Sequence, residues 1–487
     1  MFETNLFHNR AKRSNNMKKF CFFFVFLAFV TGCHKTEYPT DPLPTKEHIA
    51  KEYLRSAYMD IYYYWYKEVK SRNALLDPDK YSIEDFFDEM LYQKDRWSWM
   101  CDGDYYRSMQ TGVYSGIWGV TFGQPLDYYG DYAIHIMYIY PGSPFEEFGV
   151  TRGARLDFIG GYDVTPPITQ AKLDIYNREK AKDTNSFTFH LTDGSDVTFT
   201  ASRAKSLSTR SVLCADVITP EDYPGLTANV GYMNYLSFNK NMLTDISGAM
   251  SFFRENGIRD LILDMRYNSG GDVEACSSLM SFIAPQSAQG QPFLRIVHND
   301  ILSRYDSSTD IPVNKSSLQL DNIYIITGPA TASSSEIVIN GLIPYMGDKV
   351  HCVGQQTYGK PNGMYPLLYP GSDSDYEKYN SGDFSGLEYA FLPIAMYDTN
   401  SLGAQIPDEG FLPDKYWPDD LYHRFGPGEG CVDACLYHLT TGAFPDLPSP
   451  TKSLSVVPGV RIPLPEDSPD YGLSIHKVPD GLRRLNN

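Results

Sequence analysis

Two short segments hold residues that could do acyl-transfer chemistry. The run Gly328-Pro329-Ala330-Thr331-Ala332-Ser333-Ser334-Ser335-Glu336-Ile337 carries three adjacent serines, and Gln356-Thr357-Tyr358-Gly359-Lys360 ends in a lysine. A serine hydroxyl is a poor nucleophile until a base takes its proton. Lysine can be that base where burial lowers its pKa, because desolvation disfavours the ammonium form. Lys360 lies between Gly359 and Pro361, a tight loop able to deliver an amine into apolar surroundings. A third segment, Asn268-Ser269-Gly270-Gly271, is a glycine turn whose backbone can come close to a substrate. The N–H of Gly270 or Gly271, together with that of Ser334, is the expected donor set for a tetrahedral oxyanion. The trio predicts a serine peptidase that uses no histidine. The residues alone leave open which serine attacks and which glycine donates; Ser333 stands at a helix entry, and Ser335 could act as its cap.

Other chemistries find less support. His351 and Asp264 could be set in a Ser-His-Asp triad, but His351 falls in an apolar strand pattern, where a core histidine is the commoner occupant. The other histidines show no metal-ligand spacing, and there is no Walker loop or GxGxxG run. Beyond Cys21 and Cys33, the cysteines at 101, 214, 276, 352, 431 and 435 form no CxxC pair. No metal and no cofactor is therefore expected. Cys431 and Cys435 are four residues apart and share a face if helical, and an exported chain could form disulfides. A net charge of −18 without a dense Lys/Arg block argues against nucleic-acid binding.

The elements that must position these residues follow from hydrophobic periodicity. From about Asn229, strands and helices alternate: Val230–Met233, a helix over Leu243–Glu255, strands at Leu261–Met265 and Asn322–Thr327, a helix over Ser334–Tyr345 and a strand at Val350–Val353. Such alternation predicts an α/β domain with its site at the strand ends. Residues 47–110 read as helical, with Tyr53, Leu54, Tyr58, Ile61 and Trp65 recurring at three and four residues and a capping-box-like start at Ser82. Residues 111–205 read as a β-rich domain, as in Ala133–Ile139. The Gly371–Gly386 stretch reads as a surface loop, and the proline-bearing tail from Pro445 as extended or loosely packed.

At the other end, Met17-Lys18-Lys19 and the apolar run Phe20–Val30 read as a signal peptide, with Met17 a possible start. The run is short for a membrane span. It closes on Val30-Thr31-Gly32-Cys33, which resembles a bacterial lipobox, so Cys33 is the expected lipidation site and residues 34–46, with three prolines, a tether. The expected location is the cell envelope, lipid-anchored and facing the periplasm or the outer surface.

Two resemblances organise these readings. Residues 140–164, with Pro141-Gly142-Ser143-Pro144, Gly149 and Gly153-Ala154-Arg155-Leu156-Asp157-Phe158-Ile159-Gly160-Gly161, resemble a bacterial PDZ domain, Ala154 standing where an Asp is usual. Ser333-Ser334-Ser335-Glu336, Gly354-Gln355-Gln356-Thr357-Tyr358-Gly359-Lys360 and Asp264-Met265-Arg266-Tyr267-Asn268-Ser269-Gly270-Gly271 resemble the tail-specific, or C-terminal processing, peptidase family. That family resemblance implies Ser333 as nucleophile and Lys360 as base. It implies an α/β (α+β multidomain) chain, organised as a helical N-terminal domain (47–110), a PDZ-like domain (111–205), a crotonase/ClpP-like peptidase core (206–425) and a C-terminal extension (426–487), in the order of a Bacteroides-type lipoprotein branch. The implied partners are protein or peptide substrates with a free C-terminus, held by strand addition to the PDZ domain. Two departures stand out: Met364 replaces the glutamine usual four residues after the lysine, and Gln355 replaces a glutamate. A scaffold that keeps the fold and only binds peptides is the alternative the Met364 change supports.

Overall fold

The computed structural model describes residues 44–123, 133–447 and 474–475. The expected signal peptide, lipobox and most of the tether lie outside the described residues. From Lys46 onward the chain forms one unit.

The central sheet runs in the order Val212–Ile218, Val230–Tyr235, Asp260–Asp264, Asn322–Thr327, Val350–Gly354 and Lys415–Tyr416. Only the first pair is antiparallel; the others are parallel. Parallel strands are covered on both faces and so carry near-continuous apolar runs. In Leu261-Ile262-Leu263 the alternation decides the neighbours. Leu261 and Leu263 join a core with Ile246, Met250, Leu279 and Ile337 from the helices Leu243–Glu255, Val273–Ile283 and Ser334–Met346. Ile262 points the other way, into a core with Val432, Cys435 and Leu436. That second cover is the helix Gly430–Thr441, which starts inside the expected C-terminal extension.

The N-terminal helices Lys46–Tyr53, Tyr66–Asn73 and Ile83–Met90 and the turn joining the first two bury Ala50, Leu54, Tyr63, Phe86 and Phe87 in the same core as the central sheet. Ser82 caps the third, its side chain accepting from the Asp85 N–H at 3.1 Å. The Trp99–Asp102 strand then pairs with Tyr389–Leu392. The helical region thus packs as part of the α/β body rather than beside it.

Residues 120–202 build a separate antiparallel sheet, Val120–Gly123, His135–Ile139, Arg155–Ile159, Thr184–His190 and Asp196–Ser202, with the helix Gln170–Lys180. Its core is its own: Trp118, Phe145, Phe187, Phe189 and Phe199 pack ring on ring, with Phe148 and Phe199 stacked at 4.0 Å.

One expectation is corrected. The stretch expected to be a Gly371–Gly386 loop contains the helix Asp373–Asn380, where Ser372 and Asp375 form a capping box and Tyr376 and Tyr379 supply a buried face. The tail contributes a short strand, Ser474–Ile475, to a further sheet ordered Gly271–Asp272, Ser474–Ile475, Asn362–Met364, Ile394–Thr399, Pro292–His298 and Ser307–Asp310. The six described cysteines are free thiols; Cys431 and Cys435 lie buried on one helix.

Candidate active site

The candidate residues come from the C-terminal ends of three adjacent parallel strands, as expected for an open α/β sheet. After Asp264 comes the 265–271 turn, after Thr327 the loop to Ser333, and after Gly354 the loop to Lys360.

The first two are stitched together. Asn268 donates its Nδ2 to the Tyr235 carbonyl at 2.9 Å and accepts the Gly270 N–H on Oδ1 at 2.9 Å. Its own carbonyl accepts the Ala332 N–H and, at 2.9 Å, the Ser335 hydroxyl. Ser334 donates its hydroxyl to the Gly271 carbonyl at 2.8 Å. The hydroxyls of Ser334 and Ser335 therefore pin the helix start to the glycine turn, and Ser335 does not cap its own helix. Ser333, fully buried, takes φ 60° and ψ −117°. A non-glycine residue at positive φ is costly and persists only where its surroundings enforce it.

Of the two glycines, Gly270 has its N–H committed to Asn268, so it shapes the turn instead of facing a ligand. Gly271 has φ +138°, and a Cβ there would fall 2.2 Å from the Phe238 carbonyl oxygen. Ser334 opens a 13-residue helix, where the first N–H groups lack intrahelical acceptors.

Glu336 joins the second and third loops. Its buried carboxylate accepts the Ser333 N–H on Oε2 at 2.9 Å and the Lys360 N–H on the same oxygen at 2.9 Å. On Oε1 it accepts the Thr357 hydroxyl at 2.6 Å and the Gly359 N–H at 2.8 Å. Burial raises its pKa, and these donors oppose that rise. The Gly359 carbonyl in turn accepts Arg96 Nη2 at 3.0 Å and Trp97 Nε1 at 3.2 Å, so the N-terminal region clamps the lysine loop.

Lys360 is 2% exposed. Burial lowers its pKa to about 7, against the opposing pull of Asp398, then Asp95 and Glu336. Nζ lies 3.6 Å from Met364 Sδ. Asp398 is itself buried, and its N–H donates to the Pro361 carbonyl at 2.9 Å.

The rejected triad finds no geometry here. Asp264 accepts from Tyr232 at 2.8 Å and from Arg266 at 2.9 Å, while His351 stacks on Tyr324 at 4.8 Å under the C-terminal helix. Arg266, from the glycine turn, also reaches Glu429 at 2.6 Å and Asp419 at 2.8 Å, and Arg152, in the loop before the Arg155–Ile159 strand, reaches Asp419 at 2.5 Å. The candidate lipidation residue Cys33 is outside the described residues. Glu336, Asp398 and Asn268 were given no role by sequence. The spacing of Glu336, three residues after Ser333, is the capping-box pattern by which it is recognisable in the sequence.

The model of Peptidase family S41 matches residues 229–414, and that of the Peptidase S41 N-terminal domain matches residues 56–99. Over 352 residues the chain is 24% identical to a chloroplastic carboxyl-terminal-processing peptidase 2 of Arabidopsis thaliana, covering 70% of this chain and 60% of that one. Over 241 residues it is 25% identical to a carboxyl-terminal-processing protease of Synechocystis, covering 49% of this chain and 52% of that one. The chain thus spans less than two thirds of these curated relatives. A crystal structure described as an S41 protease of Bacteroides fragilis superposes with a TM-score of 0.60 at 23% identity, covering 80% of this chain and 97% of that one. Its likeness is one of fold. The segment matched by the peptidase family S41 model contains the glycine turn, the serine run and the lysine loop.

Proposed function

We propose that this chain is a serine endopeptidase of the C-terminal processing type, with Ser333 as nucleophile and Lys360 as general base. The observation that carries the reading is the lysine: a fully buried amine with a pKa of about 7, fixed through Glu336 to the loop that holds Ser333. An amine titrating near neutrality is half deprotonated there, and a base works best with a pKa near the operating pH.

The Ser333 hydroxyl gives its proton to Lys360 Nζ as Oγ attacks the scissile carbonyl carbon. The oxyanion is met by the N–H groups of Gly271 and Ser334. Lys360 then protonates the leaving amine as the C–N bond breaks, leaving an ester on Ser333. Water, deprotonated by Lys360, attacks that ester; as the C–Oγ bond breaks, Lys360 returns the proton to Ser333 Oγ, releasing the acid and the free serine. The engagement of Ser334 and Ser335 hydroxyls by carbonyls of the turn supports Ser333 over its neighbours.

In this reading residues 111–205 form a PDZ domain that takes the substrate's C-terminal end by strand addition, supported by the sequence motif and by a sheet with its own aromatic core. The substrates are exported proteins or peptides, and Cys33 anchors the enzyme by lipid in the cell envelope.

The test is digestion of an unfolded protein by the soluble form beginning after Cys33, beside Ser333→Ala and Lys360→Ala, with products read by mass spectrometry. Cutting by the wild type with silence from both folded variants is expected. Identical behaviour of all three would end the peptidase reading.

A further inference from the structure

The short strand Ser474–Ile475 lies between two strands of the candidate active site. Gly271 pairs with Ser474 and Asp272 with Ile475, while Ile475 pairs on its other side with Met364, all in parallel. One flank is therefore the end of the glycine turn that carries a candidate oxyanion donor. The other is the strand whose Met364 sulfur contacts Lys360 Nζ at 3.6 Å. The strand Asn362–Met364 continues the sheet to Ile394–Thr399 beyond. Remove the Ser474–Ile475 pair and two strand edges are left facing one gap one strand wide.

We infer that this gap is a peptide-binding groove and that the chain's own C-terminal segment around Ser474–Ile475 is its resident ligand, which an outside peptide must displace. The inference rests on the peptidase reading for its meaning and adds the class of ligand. That ligand is an extended backbone running parallel to both Gly271–Asp272 and Asn362–Met364, recognised through main-chain hydrogen bonds. Unpaired strand edges favour such an occupant, because each unmet backbone N–H or C=O costs free energy. A ligand on the same chain is favoured further, because its binding is intramolecular. Residues 448–473 join it in sequence to the described body.

The test uses the full chain and two readouts. In the first, Ser333→Ala protein, with and without Ser474→Pro and Ile475→Pro, is titrated with a fluorescent peptide of residues 468–482. Proline has no N–H and does not join a ladder between two strands. The proline form is expected to bind the peptide about tenfold more tightly than the form with its own tail intact, since the internal competitor is gone. A scrambled peptide serves as control. In the second, the proline substitutions in the active chain are expected to raise kcat/KM on an unfolded protein by about tenfold, and the 468–482 peptide to inhibit that form competitively. Equal peptide binding by both Ser333→Ala forms, or equal binding of the scrambled peptide, would overturn the inference. If binding changes as expected while no form cuts any substrate, the groove stands and the peptidase reading falls.

Discussion

The backbone N–H groups of Ser333 and Lys360 donate to the same oxygen, Oε2 of Glu336, each at 2.9 Å. The two nitrogens are therefore no more than 5.8 Å apart, although 27 residues separate them in the chain. A buried carboxylate with four donors is a rigid joint: it fixes the two loops against each other without itself occupying the space between their side chains.

Replacing that joint tests its importance. In Glu336→Gln one oxygen is lost as an acceptor, and an NH2 group meets N–H donors it cannot satisfy. A loss of about 2–4 kcal/mol in stability is expected, from breaking a buried hydrogen-bonded charge. Misplacement of the reacting groups by an ångström costs on the order of a hundredfold in rate. Urea unfolding read beside kcat/KM checks both, and a variant that is destabilised yet fully active would remove Glu336 from the positioning role.

The pH profile follows from Lys360. Only the neutral amine accepts a proton, so kcat/KM should rise with pH, about tenfold per unit on the acid side, and level off above a midpoint near 7. Asp398 favours the ammonium form and so opposes the lowering by burial. Asp398→Asn removes that pull, lowers the lysine pKa further and moves the acid limb to lower pH. Profiles measured on the two proteins check the sign; coincident limbs would mean that Asp398 does not act on the lysine.

Much of this site was legible because it is local in sequence. The serine run, the glycine turn and the lysine loop each follow an apolar strand, and parallel alternation places all three at the C-terminal ends of neighbouring strands. Leu261-Ile262-Leu263 reads as a buried strand because both of its faces are covered. The missing parts depend on contacts between distant segments. Asp398 and Asp95 reach Lys360 only through the fold, and nothing in their own neighbourhoods marks them. The commitment of Gly270 to Asn268 depends on the exact path of a turn, which two adjacent glycines do not specify. The helix Asp373–Asn380 was hidden by polar composition, since its buried face is made of two tyrosines. The Ser474–Ile475 strand has no periodic signal at all, being two residues long.

The Arg266 network makes a prediction about stability. Its guanidinium is buried among Asp264, Glu429 and Asp419, linking the glycine turn to the C-terminal helix. Removing one partner of such a cluster leaves uncompensated buried charge, so Arg266→Ala should cost about 3–5 kcal/mol. Equilibrium denaturation, with hydrogen exchange of the Gly430–Thr441 helix measured beside it, checks it. A loss below about 1 kcal/mol would show that the cluster is wetter than its burial implies.

Met364 is the sharpest departure from the family pattern, and reversing it gives an outcome of known sign. Its sulfur, 3.6 Å from Lys360 Nζ, is a weak acceptor and leaves the amine's pKa to burial and the nearby carboxylates. In Met364→Gln an amide oxygen of similar reach would accept from Nζ. A hydrogen bond to the charged form favours it, so the lysine pKa should rise and the acid limb of kcat/KM should move to higher pH. The buried amide nitrogen should cost about 1–3 kcal/mol of stability unless it finds an acceptor. The pH–rate profile of Met364→Gln against wild type is the check: a limb that stays in place or moves down would mean that the residue four after the lysine does not touch its amine during catalysis.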